Sequence, residues 1–136
     1  MSLIPYAMRM AKRYYDDKTY NHACRVAQYV AENNLISSEI IDDCIALAYM
    51  HDLIEDTDYI DGASDLPTHL YDCLQMLTKL KEEDYITYIK RIRKFASSNT
   101  EAYWVKLADM KDHLAQTETL TDKLRDKYLA ALPYLL

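Results

Sequence analysis

A single glycine and three prolines serve all 136 residues, and that scarcity limits the possible folds more than any other feature. Strand-and-turn architectures reverse the chain often and need glycine or proline at the reversals. The chain is therefore expected to be all-α, a bundle of about six to seven helices in one domain spanning residues 1–136. Apolar residues at helical spacing mark the segments. The first covers about 5–15, with Pro5 in the opening turn, where a missing N–H is harmless. Residues 16–19 (Asp-Asp-Lys-Thr) read as a polar break, and Asn21 as the N-cap of a second helix at about 21–33. A third starts near Ser37 or Ser38 and carries Ile41, Cys44, Ile45, Ala48 and His51 on one face. Residues 57–67 read as a loop, and further helices are expected at about 68–78, 82–96, 100–115 and 121–135.

The net charge of −6 argues against broad binding to nucleic-acid polymers, which calls for a basic surface. The one basic run, residues 90–94, falls in a helical pattern and reads as a solvated face. No apolar run approaches the roughly 20 residues that cross a bilayer, and the first residues lack a cleavable secretory pattern. A cytoplasmic location without membrane contact is expected. Cys24, Cys44 and Cys73 are odd in number, widely spaced and set among apolar residues, so they read as buried free thiols.

Chemistry concentrates where the third helix ends. His51-Asp52 is followed by Glu55 and Asp56. In a helix, residues three or four apart share a face, so one imidazole and three carboxylates crowd onto one small surface at the end of an apolar run. Such crowding favours a bound cation. Two other stretches complete a possible ligand set: Tyr20-Asn21-His22, and Lys106-Leu107-Ala108-Asp109 in the middle of the sixth segment. His22, His51, Asp52 and Asp109 then offer two imidazoles and two carboxylates from three helices. That set suits a borderline divalent ion such as Mn²⁺, Fe²⁺ or Zn²⁺, which makes water a better nucleophile near neutral pH.

With these motifs the chain resembles the HD-domain phosphohydrolase superfamily: one His, then His-Asp, then a distant Asp, on a helical bundle. Tyr-Asn-His with the following Val-Ala, HDLIEDT at residues 51–57 and KLAD at 106–109 are most similar to the hydrolase half of RelA/SpoT proteins and to the small alarmone hydrolases. The likeness spans roughly residues 5–135. It implies one divalent ion, Mn²⁺ before Fe²⁺, Zn²⁺ or Mg²⁺, held by His22, His51, Asp52 and Asp109. It also implies Glu55 and Asp56 as the groups that position and deprotonate the attacking water. The implied reaction is removal of pyrophosphate from (p)ppGpp by a metal-activated water.

The loop before His22 is short and offers only Lys18, where alarmone hydrolases usually carry an Arg-Lys pair. His113 stands where they usually carry an Asn. Lys18, Lys106, Lys111 and His113 are the candidates for phosphate or nucleotide contacts. The alternatives are an HD-type nucleotidase or nucleoside triphosphate hydrolase, and a non-catalytic helical module that binds metal or nucleotide. The expected partner is a phosphorylated nucleotide substrate, and no face identifies a dimer surface.

Overall fold

The computed structural model describes residues 2–59 and 66–136. Among them are eight helices and no strand: α1 (Ile4–Tyr14), α2 (Asp17–Ala31), α3 (Ile41–Met50), α4 (Leu53–Asp56), α5 (Thr68–Met76), α6 (Tyr85–Lys94), α7 (Thr100–Ala115) and α8 (Asp122–Leu135). The all-α bundle expected from the scarcity of glycine and proline is the observed architecture. The loop expected at 57–67 lies largely outside the described residues. No helix of the described residues is long and apolar enough to cross a membrane.

α3 is the axial element. It packs against α1, α2, α5 and α7, and Cys44, Ala46, Leu47, Ala48 and Met50 are all fully buried. A helix apolar on most of its circumference has to be surrounded, and its alanines let neighbours approach closely. α1 meets it through Ala7 and Ala11, one turn apart and both at 0% exposure. Val26 and Val30 of α2 and Val105 and Met110 of α7 close the same core. Each large aliphatic side chain removed from water there contributes about 1.5–3 kcal/mol.

Besides α6, which runs Tyr85–Lys94 rather than 82–96, three helix boundaries differ from the sequence reading. α2 begins four residues before Asn21: Asp16 is its N-cap, with Oδ1 accepting from Thr19 N–H at 2.8 Å. The supposed polar break is therefore cap and first turn, since Asp caps as well as Asn. His22 sits in the second turn, held by helix on both sides. α3 starts at Ile41 rather than near Ser37, whose hydroxyl instead accepts from Glu39 N–H in the preceding turn. Cys24 is only half-buried, whereas Cys44 and Cys73 are buried.

The third difference positions the site. The helix carrying the His-Asp pair does not run through it: α3 stops at Met50, and α4 restarts as one turn after Asp52. Ala48 C=O would normally accept from Asp52 N–H, four residues on. It accepts instead from the His51 ring, Nδ1 at 2.6 Å. Asp52 N–H turns to the Tyr15 hydroxyl at 3.1 Å. A side chain thus takes the backbone's acceptor, and Tyr15, at the end of α1, receives the displaced donor.

Candidate metal centre

α7 carries four buried charged residues: Glu101, Lys106, Asp109 and Asp112, between 0% and 7% exposed. Charges this deep need close partners. Asp109 is the hub. Its Oδ1 lies 2.8 Å from His22 Nε2, 3.2 Å from His51 Nε2 and 3.2 Å from His113 Nε2. Its Oδ2 accepts from Lys106 Nζ at 2.7 Å. Asp52 Oδ2 joins at 3.3 Å from His51 Nε2. The four residues expected as ligands, from α2, the α3–α4 break and α7, are therefore neighbours, with His51 meeting both carboxylates.

The ring tautomers can be inferred from the partners of the opposite nitrogens. His51 Nδ1 faces a carbonyl, and His22 Nδ1 faces Asp112 Oδ2 at 2.6 Å. Both partners only accept, so both Nδ1 atoms carry hydrogen. In the neutral rings each Nε2 then turns a lone pair toward carboxylate lone pairs. Such an arrangement needs a cation at its centre, either protons on the rings or a metal ion. Imidazole nitrogens whose far side is oriented by a carbonyl or a carboxylate are the usual surroundings of a bound divalent ion. The residues present thus fit one. Two groups, His22–His51–Asp52 and His22–Asp109–His113, each bring ligand atoms within 4.8 Å of one another.

The metal-free charges follow from the same contacts. Burial works against a charged His51, but Asp52 and Asp109 outweigh it and hold the ring's pKa up to about 9. Burial likewise opposes charge on His22, and its bonds to Asp109 and Asp112 raise its pKa. Burial alone would raise Asp109, yet Lys106 and the imidazoles hold it well below the usual carboxylate range. Partial loss of hydration, then the charges of Asp52 and Glu55, push Asp56 up to about 6.

Asp52, Glu55 and Asp56 border a cleft of about 210 Å³ with His51, Lys106, Asp109 and His113. Glu55 is exposed and its Oε1 accepts from Lys79 N–H at 3.0 Å. A second cleft of about 190 Å³ reaches the cluster from the other side and holds Lys18, His22, Arg25 and Asp112. His113 and Tyr128 border both clefts, their rings stacked at 4.9 Å and 11°.

The four expected substrate contacts are thus dispersed. Lys106 and His113 touch Asp109 itself, and Lys18 is exposed at the second cleft. Lys111 is not at the site. Two positions past Asp109, about 200° around the helix, it lies over the Tyr29 ring at 4.6 Å. There it borders a larger apolar groove of about 640 Å³ that contains none of the cluster. That groove is bigger, but none of the clustered imidazoles and buried carboxylates lines it.

The sequence reading missed Tyr15, Arg25, Asp112, Lys79 and Lys127. Asp112 orients His22 and is itself held by Arg25 Nε at 2.8 Å. Its place three residues after Asp109, on the same helix face, was the available signal. Lys79 and Lys127 reach the 210 Å³ cleft from outside α6 and from α8, and no local pattern announces them.

The arrangement defines a class: a helical bundle with a buried His/Asp cation centre opening on a cleft that carries both acids and lysines. The HD domain family matches residues 19–127, and the chain belongs to that family, within the superfamily of metal-dependent phosphohydrolases. No curated protein matches the chain.

Proposed function

We propose that the protein is a divalent-metal-dependent nucleotide phosphohydrolase, and that its reaction is the (p)ppGpp-type release of pyrophosphate. One observation carries this reading: Lys79, Lys106 and Lys127 face the same cleft as Asp52, Asp56 and Asp109. Lys127 feels the crowding, since burial and then the charges of Lys106 and Lys79 lower its pKa. Ammonium groups that repel one another across a cleft favour a polyanionic guest.

A divalent ion held by His22, His51, Asp52 and Asp109, Mn²⁺ by the family likeness, would polarise a phosphoryl oxygen and lower the pKa of water. The chain's own residues do the rest. Asp56, whose carboxyl is raised in the metal-free fold by burial and by Asp52 and Glu55, serves as proton acceptor. Glu55, held by Lys79 N–H, orients the water. The water oxygen bonds to phosphorus as the bond from phosphorus to the ribose 3′ oxygen breaks. Asp56 takes the water's proton, and the ribose oxygen leaves as a hydroxyl after taking a proton from solvent. Lys127 holds the departing pyrophosphate, while the Lys79 ammonium stays on the Leu80 and Glu83 carbonyls. On this reading the substrate is a free nucleotide rather than a polymer, and residues 1–136 act as one domain in the cytoplasm.

A second reading, an HD-type nucleotidase, draws on the size of the cleft. At about 210 Å³ it is smaller than the ~300 Å³ at which ordinary ligand pockets begin, and it suits a phosphate group better than a whole nucleotide. A nucleotide panel assayed with Mn²⁺ separates the two. Pyrophosphate from ppGpp supports the first and orthophosphate from monophosphates the second. Metal binding without turnover of any nucleotide removes both and leaves a binding module.

A further inference from the structure

A second set of ligating side chains sits at the other end of α7. Glu101, in its first turn, is eight residues and so about 12 Å along the axis from Asp109. It is 5% exposed, and its Oε2 lies 2.8 Å from His69 Nε2. His69 and Cys73 are four residues apart on α5 and share a face. Cys73 Sγ lies 3.8 Å from the same His69 nitrogen. One imidazole nitrogen, one sulfur and one carboxylate oxygen thus gather within 4.8 Å of one another.

The spacing suits a common ion. In a tetrahedral shell with bonds of about 2.0–2.3 Å, neighbouring ligand atoms stand roughly 3.3–3.8 Å apart. The sulfur–nitrogen separation already has that value, and the carboxylate need withdraw by less than about 1 Å. Burial opposes a thiolate, but a donor beside the sulfur works the other way. Asn99 Nδ2 donates to Cys73 Sγ at 3.5 Å. Cys73 is fully buried, yet the His69 side chain is 50% exposed and gives an ion a way in. Asp43, half-buried on α3, lies close enough to feel Glu101 and His69, and it or water would complete a fourth position.

We propose that His69, Cys73 and Glu101 form a second cation site, for Zn²⁺ or a similarly thiophilic divalent ion, that fastens α5 to the start of α7. A mixed sulfur, nitrogen and oxygen set selects such ions over Mg²⁺ or Ca²⁺. Without an ion, burial lifts the Cys73 thiol up to about 11, so uptake breaks the S–H bond, forms the metal–sulfur bond and releases one proton to solvent. The site is independent of the hydrolytic cluster, whose ligand groups contain no sulfur.

That difference supplies the test. Cobalt(II) titrated into the full metal-free chain is expected to produce a near-ultraviolet thiolate-to-cobalt absorption band. The band should persist in His51→Ala and disappear in Cys73→Ser. No band at saturating cobalt, a band that survives Cys73→Ser, or one lost with His51→Ala overturns the proposal. If Cys73→Ser does not fold, His69→Ala removes a half-exposed ligand at little cost to packing. It should weaken the affinity read from the band at least ~10-fold, and unchanged affinity overturns the site.

Discussion

Asp109 and Glu101 are both buried carboxylates on α7, 4% and 5% exposed, but they keep different company. Asp109 meets three imidazole nitrogens and an ammonium within 3.2 Å. Glu101 meets one half-exposed imidazole, with a thiol beyond it. The same helix therefore bears one carboxylate neutralised on every side and one neutralised on one side only. A buried charge is tolerated in proportion to the opposite charge and hydrogen bonds around it. Asp109 is a structural hub even before any ion arrives, whereas Glu101 holds a single contact and is the more easily altered.

The largest expected effect breaks that comparison at its centre. Asp109→Ala strips Lys106 and the imidazoles of their shared partner. Removing one member of a buried charge cluster costs about 3–5 kcal/mol, and metal binding and turnover should go with it. Glu101→Gln keeps the shape and should cost only about 1–2 kcal/mol. Thermal melts of the two variants side by side test the contrast, and equal losses would refute it.

Next comes chemistry without metal loss. Asp56→Asn should lower turnover by about 10²–10⁴-fold while Mn²⁺ affinity, measured calorimetrically, holds. Full activity would remove Asp56 as proton acceptor.

The third effect concerns pH. The His51 ring is raised from 6.5 to about 9 in the metal-free fold. Its ion pairs therefore contribute stability that is fully present below about 6.5 and is lost as pH rises through about 9. Metal-free protein should melt progressively lower between pH 7 and 9.5. Bound Mn²⁺ should blunt or reverse that trend, because it takes the neutral rings and binds more tightly as protons leave. A metal-free melting temperature that is flat across this range contradicts the assignment.

The smallest effect separates the two grooves. Lys127→Ala should raise KM roughly tenfold, in line with about 1.5 kcal/mol for a charge-assisted bond, without touching metal affinity. Lys111→Ala, over Tyr29 in the other groove, should change stability by no more than about 0.5 kcal/mol and leave the kinetics alone. A kinetic defect in Lys111→Ala would move the substrate to the larger groove.

Much of this was legible in the chain. Helix formation is a local matter, and the spacing of Val26 and Val30 or of Cys44 and Ala48 announces a buried face wherever it occurs. His51-Asp52 and Asp109 stood out because a charge at the end or in the middle of an apolar run needs a reason. The helix start at Asp16 was missed because two capping residues compete there, and propensity alone does not choose between them. Lys111 was grouped with the site because it is near Asp109 in sequence, although helical geometry puts it on another face.

By itself, the order of residues settled that this protein is helical and which side chains are too polar for the core that surrounds them, since periodicity and composition act over one or two turns. Only the tertiary structure decided that Ala48 gives its carbonyl to His51, that Tyr15 receives Asp52, that Asp112 braces His22, and that Lys79 and Lys127 face the acids. Apart from the Ala48–His51 contact, which spans three residues, those relations join residues distant along the chain, and only the packing of whole helices brings such groups within hydrogen-bonding reach.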